Sequence, residues 1–183
     1  MDTEIRTIKN LLLVEDDPQD LELTLAALAK QQLTNQIVVV RDGAEALDYL
    51  YRRGEFKTRT GGNPILVLLD LKMPKVNGLE VLKRIKADAD LKSIPVVVFS
   101  SSRETPDLTE CYQHGVNAYV VKPVDFTDFM QAVKQLDIFW TTINEPPPGT
   151  SNGKNGVAHD PGVVPGKEYV QHEIPASHPA SRG

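Results

Sequence analysis

Five short apolar segments, separated by segments with helical periodicity, constrain the fold of this chain more than any other sequence feature. The apolar segments lack alternating polar residues, which is typical of strands covered by helices on both faces of a sheet. They lie at residues 11–14, 37–40, 65–69, 96–99 and 118–121. The helical segments lie at residues 18–32, 44–53, 78–88, 104–114 and 126–141. This alternation predicts an α/β fold with a parallel sheet and right-handed crossovers.

Strand–helix units of this kind are often arranged as a flavodoxin-like doubly wound sheet with the strand order 2-1-3-4-5. By analogy, we predict this order here, with five helices covering the two faces of a five-stranded sheet. Ligands of such folds bind beyond the carboxyl ends of the strands, where the direction of winding reverses. The predicted binding crevice therefore lies between the ends of the first and third strands.

The composition changes near residue 144. Seven of the 13 prolines and six of the 12 glycines lie within residues 144–183. Such a segment cannot bury enough apolar surface to offset the entropy lost on ordering it. We therefore predict one folded domain, residues 8–143, followed by a disordered tail, residues 144–183.

Net charge, apolar content and the cysteine count indicate which partners and which cellular compartment to expect. The formal net charge is −5, whereas a nucleic-acid-binding surface usually requires a basic patch. No segment approaches the roughly 18 apolar residues that a membrane helix requires. Because Cys111 is the single cysteine, it cannot form an internal disulfide, which favours a reducing compartment. We therefore expect a cytoplasmic protein that binds neither nucleic acid nor membrane.

Acidic residues follow the first and third predicted strands. Glu15, Asp16 and Asp17 come directly after the first strand, and Asp70 follows the third. Asp17 precedes Pro18 and is better explained as a helix N-cap, with proline at the first helical position. The other three carboxylates would repel one another and raise their own pKa values. A hard divalent cation such as Mg²⁺, which binds oxygen ligands, would relieve this repulsion.

Two further polar groups are predicted to face the same crevice. Ser100 follows the fourth strand and Lys122 follows the fifth. A carboxylate, a cation, a hydroxyl and an ammonium together suit phosphoryl transfer, because aspartate is a competent nucleophile and the other groups offset charge on the transferred oxygens. In isolation, Ser100 could equally begin a turn and Lys122 could be a solvated surface residue. Their joint spacing is what favours a functional role.

In this set of residues, the chain resembles the response-regulator receiver family of two-component signalling. The resemblance covers roughly residues 8–141 and rests on Glu15-Asp16, Asp70, Ser100 and Lys122-Pro123. It implies a signalling switch in which Asp70 accepts a phosphoryl group and Ser100 and Lys122 contact the phosphoryl oxygens. Tyr119 would be the aromatic residue that moves with the switch, although an aromatic residue in an apolar strand is more often part of the core.

The resemblance also implies a metal ion and a partner. Mg²⁺ would be bound directly by Asp16 and Asp70, through water by Glu15, and by the backbone carbonyl of Lys72. The partner would be a sensor histidine kinase that donates the phosphoryl group. The protein would not be an enzyme for other substrates, since it would catalyse only its own phosphorylation and dephosphorylation.

Three further features resemble the stand-alone regulators that partner phytochrome-type sensor kinases. They are the long connection at residues 52–64, the Lys-Met-Pro-Lys sequence at residues 72–75, and Phe139-Trp140 near the end of the last helix. A phosphorelay intermediate, which would use the same site, is one alternative. A haloacid-dehalogenase-type phosphohydrolase is another, but it would need an aspartate where Lys72 stands.

The last predicted helix has more apolar residues than one buried face requires. Its core stripe comprises Phe126, Phe129, Val133, Leu136 and Trp140. Ile138 and Phe139 lie outside this stripe, and a monomer that exposed both side chains would be unusual. We therefore expect a homodimer with an isologous two-fold contact. The alternative is that residues 52–64 or the start of the tail cover the two side chains.

Overall fold

The computed structural model describes residues 10–29 and 36–147. This part of the chain contains a five-stranded parallel sheet. Its strands are β1 (Asn10–Val14), β2 (Gln36–Val40), β3 (Leu66–Leu69), β4 (Val96–Ser100) and β5 (Ala118–Val121). The strand order is β2-β1-β3-β4-β5. The predicted flavodoxin-like architecture is therefore confirmed.

All five predicted helices are present. They are α1 (Pro18–Ala29), α2 (Gly43–Tyr51), α3 (Gly78–Ala87), α4 (Thr105–Gln113) and α5 (Phe126–Ile138). A short 3₁₀ turn, Gly54–Phe56, follows α2, and a π-helical turn, Phe139–Ile143, continues α5. The predicted end of the first helix, at residues 30–32, lies outside the described residues. So does the predicted disordered tail from residue 148 onward.

Side-chain caps determine where several helices begin. Asp17 Oδ1 accepts hydrogen bonds from the backbone N–H groups of Gln19 and Asp20, each at 2.9 Å. This is the geometry of a helix N-cap, as predicted for Asp17. Aspartate or asparagine caps three other helices in the same way, at Asp42, Asn77 and Asp125.

The sheet is covered on both faces, which explains why its strands lack polar alternation. Alternate β1 residues such as Leu12 and Val14 pack with α2 and α3. Their neighbours Leu11 and Leu13 pack with α1 and α5 on the other face. Because both sets are apolar, the strand sequence is a continuous hydrophobic run.

One member of the predicted core stripe of α5 is not in the core. Phe129, Val133 and Trp140 are buried as predicted, but Phe126 is 57% exposed. Phe126 is the first residue of α5, and helical side chains lean toward the N-terminus of their helix. Its position at the start of the helix therefore leaves much of its ring in solvent.

Asp137 is a buried carboxylate in α5 that the sequence reasoning missed. It is 3% exposed, and its Oδ2 atom has no hydrogen-bond partner among the described residues. Burial raises the pKa of this carboxyl from 3.8 to about 6, although a hydrogen bond with Thr141 acts in the opposite direction. The sequence signal was its spacing, since Asp137 lies four residues after Val133 and three before Trp140, on the buried face of the helix.

This carboxylate makes the stability of the fold depend on pH. Because the pKa of Asp137 is raised in the folded state, the native protein binds the proton more tightly than the unfolded chain does. The destabilising effect of the ionised Asp137 carboxylate is absent below about pH 4, grows as pH rises, and is complete above about pH 6. We expect Asp137→Asn to raise the free energy of unfolding near pH 8 by about 3 kcal/mol, with little change near pH 4.

Urea unfolding of the parent and variant across this pH range measures the effect. Glu22→Gln removes the same charge from an exposed position on α1 and should leave the pH dependence unchanged. A gain in stability that is equal at all pH values would contradict the assignment to Asp137.

Candidate functional site

The candidate site lies at the carboxyl ends of the neighbouring strands β1 and β3. Val14 and Leu69, the last residues of these strands, are aligned in the sheet register. The Asp70 N–H donates to the Val14 carbonyl at 3.0 Å. Glu15 and Asp70, which follow these two residues, are therefore brought side by side, and both are buried.

Three predicted carboxylates converge there and form a set that fits a metal ion. Glu15, Asp16 and Asp70 each offer one oxygen, and these oxygens lie within 4.8 Å of one another. Burial raises the pKa of Glu15 to about 7, and the charge of Asp70 adds to this rise. An all-oxygen donor set with mutually repelling charges is suited to a hard divalent cation. The structure thus groups the predicted carboxylates, and their chemistry agrees with a divalent metal.

Lys122 lies at the centre of this acidic cluster. Its Nζ atom is 2.7 Å from Glu15 Oε2, 2.7 Å from Asp20 Oδ2 and 3.3 Å from Asp70 Oδ2. Burial alone would lower the pKa of Lys122, but the hydrogen bonds with Asp20 and Glu15 outweigh burial and raise it. Lys122 is therefore a charged donor within reach of the predicted acceptor.

Sequence reasoning missed Asp20 as part of this site. It lies in the first turn of α1, which begins at the crevice because α1 directly follows the acidic end of β1. An acidic residue is also favourable there because of the helix dipole, so a structural explanation was available. The pairing of Asp20 with Lys122, 102 residues away, has no signal in the local sequence pattern.

Ser100 and Tyr119 lie on the β4–β5 side of the crevice. Ser100 is the buried last residue of β4, and its carbonyl accepts a hydrogen bond from the Lys122 N–H at 2.9 Å. The half-buried Tyr119 donates its hydroxyl to the carbonyl of Ser102 at 3.0 Å. Backbone pairing thus places Ser100 and Lys122 at one edge of the sheet, as predicted from their strand positions.

The loop that follows Asp70 is held from two sides. The Lys72 ammonium lies 3.1 Å from Asp107 Oδ2 on α4, and the Ser102 hydroxyl donates to the same carboxylate. On the other side, a Cβ atom added to Gly78 would lie 2.0 Å from the Asp70 carbonyl oxygen. Only glycine therefore allows α3 to begin so close to the acceptor. Ser102 and Asp107 were not predicted as site residues.

Known proteins with related sequences identify the family. The family model described as the response regulator receiver domain matches residues 11–134. The chain belongs to this family. Response regulator Rcp1 of Synechocystis sp. is 36% identical over 140 residues, which cover 76% of this chain and 94% of Rcp1. The family resemblance of the sequence is thereby confirmed.

Solved structures extend the comparison to phytochrome-type regulators. The phosphorylated cyanobacterial phytochrome response regulator RcpA is 41% identical with a TM-score of 0.73, over 76% of this chain and 99% of RcpA. The bacteriophytochrome response regulator RtBRR is 58% identical with a TM-score of 0.63, over 78% of this chain and 86% of RtBRR. A Mn²⁺-bound form of Rcp1 aligns with a TM-score of 0.72 at 36% identity, over 76% of this chain and 99% of Rcp1.

These comparisons support the coarser functional predictions. The chain is a receiver-domain signalling protein, similar to phytochrome response regulators. A relative binds a divalent metal, and the acidic cluster of this chain fits one. None of the described helices combines the length and apolarity needed to cross a membrane.

Proposed function

We propose that this protein is a single-domain response regulator that accepts a phosphoryl group on Asp70 from a sensor histidine kinase. The observation that carries the proposal is the contact of the buried Lys122 ammonium with Asp70 Oδ2, in a crevice that also contains Glu15 and Asp16. Aspartate is a competent nucleophile for phosphoryl transfer. An ammonium next to its carboxylate can offset the negative charge that the phosphoryl oxygens bring into the crevice.

In the proposed reaction, an Asp70 oxygen attacks the phosphorus of a phosphohistidine. The new oxygen–phosphorus bond forms as the bond from phosphorus to the imidazole nitrogen breaks. The Leu71 N–H donates to Asp70 Oδ1 at 2.7 Å and fixes the carboxylate. Lys122 then offsets negative charge on the transferred oxygens. The protein acts as a phosphoacceptor that catalyses only its own phosphorylation and dephosphorylation.

The metal in this proposal is Mg²⁺. Asp16, Asp70 and the backbone carbonyl of Lys72 would hold the ion directly, and Glu15 would contact it through water. When bound, Mg²⁺ supplies positive charge close to the phosphoryl oxygens. The acidic cluster supports this choice because its oxygen donors suit hard cations.

The proposed output is a change in surface that alters partner binding. Ser100 bonds a phosphoryl oxygen, and Tyr119 turns toward the space that Ser100 leaves. Tyr119 must first give up its hydrogen bond to the Ser102 carbonyl. Since Ser102 also contacts Asp107 of α4, this movement would be transmitted to α4 and β5. A partner that binds the phosphorylated and unphosphorylated states with different affinities would respond to phosphorylation.

The proposed kinase is of the phytochrome type, acting in the cytoplasm. The similarity to RcpA and RtBRR supports this partner. Phosphotransfer from a panel of purified sensor kinases of the same genome tests the proposal, with the labelled residue located by peptide mass analysis. We expect label on Asp70 from a phytochrome-type kinase. If no kinase in the panel labels Asp70, the proposal is wrong.

We also propose that the protein forms a homodimer through the end of α5 and the π-helical turn. Phe139 is 46% exposed and Ile143 is 65% exposed, although residues 52–64 are present in the structure and do not cover them. Ile138, which was predicted to be exposed, is half-buried instead. The exposed apolar surface therefore continues from Phe139 toward Ile143 and supports an isologous contact.

The dimer is expected to weaken when a charge is introduced into this surface. We expect light scattering over a range of concentrations to show dimers for the parent and monomers for Phe139→Glu. Phe126→Glu is the matched control, because Phe126 is exposed at the other end of α5. A parent that remains monomeric at all concentrations, with or without phosphorylation, would contradict the proposed dimer.

A further inference from the structure

Asp20 is an acidic residue at the site, and the proposed reaction gives it no role. We propose that Asp20 is a positioning residue that restrains the Lys122 ammonium on the α1 side of the crevice and thereby slows phosphorylation of Asp70. This inference rests on the proposed function, because the restraint matters only if Asp70 is the acceptor.

The distances carry the inference. Lys122 Nζ is 2.7 Å from Asp20 Oδ2 and 2.7 Å from Glu15 Oε2, but 3.3 Å from Asp70 Oδ2. An ammonium has three N–H donors, and each faces one of these three carboxylates. The contact with Asp70 is the longest of the three. The ammonium is therefore held closer to Asp20 and Glu15 than to the predicted acceptor.

The backbone holds Asp20 in place for this contact. Asp20 lies in the first turn of α1, where its N–H donates to the capping Asp17 Oδ1 at 2.9 Å. Its side chain is 31% exposed, whereas the side chains of Glu15 and Lys122 are almost fully buried. Asp20 is thus the more solvent-exposed of the two carboxylates that contact Lys122 at 2.7 Å.

The charge of Asp20 opposes phosphorylation in two ways. A phosphodonor is an anion and must approach a crevice that already contains Glu15, Asp16 and Asp70, so a further carboxylate repels it. In addition, Lys122 must move toward the transferred oxygens to offset their charge, and its contact with Asp20 competes with that movement. Neutralising Asp20 removes both effects while Glu15 still contacts the lysine.

We therefore expect Asp20→Asn to be phosphorylated about threefold to fivefold faster than the parent, the size of one partly exposed charge interaction. The donor is phosphoramidate, with Mg²⁺ present in excess. An Asp70 oxygen forms a bond to phosphorus, the nitrogen–phosphorus bond breaks, and ammonia leaves from the protonated donor nitrogen. Intact-mass measurements over time give the rate for each variant, and peptide analysis locates the label.

Two other variants separate positioning from the loss of charge in general. Asp20→Glu retains a carboxylate that can reach Lys122, so its rate should return toward that of the parent. Glu22→Gln removes one charge from an exposed position on the same helix and should not change the rate. A second measurement needs no phosphodonor. Burial and three contacts should protect the Lys122 ammonium from exchange in the parent, so we expect its ¹⁵N signal to be sharp there and to broaden in Asp20→Asn.

The outcomes distinguish the inference from the proposed function. If the parent is labelled on Asp70 but Asp20→Asn reacts at the same rate or more slowly, the restraint is wrong and the proposed function stands. An unchanged ammonium signal in Asp20→Asn would also overturn the restraint. If the parent itself is not labelled on Asp70, the proposed function fails and the inference fails with it.

Discussion

Asp70→Asn is expected to abolish phosphorylation by phosphoramidate in the presence of Mg²⁺, so that intact-mass analysis shows no added phosphoryl group. An amide has no anionic oxygen to attack phosphorus, and the other carboxylates of the crevice are engaged differently. Glu15 Oε2 is 2.7 Å from Lys122 and Glu15 Oε1 accepts the Asp17 N–H. Asp16 belongs to the proposed metal site. Lys122 holds Asp70 less closely, at 3.3 Å from Asp70 Oδ2. We therefore expect neither Glu15 nor Asp16 to replace Asp70 as the nucleophile.

The matched control for this prediction is Asp17→Asn. It makes the same acid-to-amide change beside the acidic pair, and asparagine preserves the helix cap because it is as good an N-cap residue as aspartate. We expect this variant to gain the same mass as the parent. An undiminished mass shift in Asp70→Asn would show that another residue is the acceptor.

Removal of the Asp16 carboxylate is expected to have the second-largest effect. Asp16→Ala should lower the affinity for Mg²⁺ about tenfold or more, since substitution of even a residue that only supports a metal ligand commonly costs tenfold to a hundredfold. Without metal, the variant should be at least as stable as the parent, because one of three mutually repelling carboxylates has been removed. Unchanged or greater stability would then show that the weaker Mg²⁺ binding of the variant does not come from loss of folding.

Two measurements on the same samples check this prediction. Calorimetric titration gives the Mg²⁺ affinity, and urea unfolding without metal gives the free energy of unfolding. Asp17→Asn again serves as the control and should bind Mg²⁺ as the parent does. If Asp16→Ala bound Mg²⁺ as tightly as the parent, Asp16 could not be a direct ligand.

Much of the fold was accessible from local sequence patterns. Strands covered on both faces require apolar residues at every position, so short continuous runs such as residues 65–69 predicted their positions to within one residue. The Asp17-Pro18 pair predicted where α1 begins, because capping and proline preferences act over only a few residues. The order of the strands came from analogy with other doubly wound sheets, since several windings of five units are sterically allowed.

The candidate site was accessible for a related reason. In a parallel sheet, the carboxyl ends of all strands lie at one edge. The positions of Glu15, Asp70, Ser100 and Lys122 directly after four strands therefore predicted that they would meet. Their residue types indicated phosphoryl chemistry, and the resemblance to the receiver family assigned a role to each.

Other features depend on side-chain directions and contacts between distant segments, which local patterns do not contain. Asp137 has the helical spacing of a core residue, yet only the packed structure shows that its carboxyl is buried with one oxygen unpaired. Phe126 has the same spacing and is exposed, because the first residue of α5 lies outside the core that begins at Phe129.

By itself, the sequence determined the strands, the helices and the strand ends at which the acidic residues and the lysine would meet. Only the tertiary structure decided how the donors of Lys122 are shared among Glu15, Asp20 and Asp70, and that Lys72 pairs with Asp107. The physical reason is the sequence separation over which each interaction acts. Strand and helix preferences act between residues a few positions apart, whereas an ion pair between residues 20 and 122 exists only once the sheet brings α1 next to the end of β5.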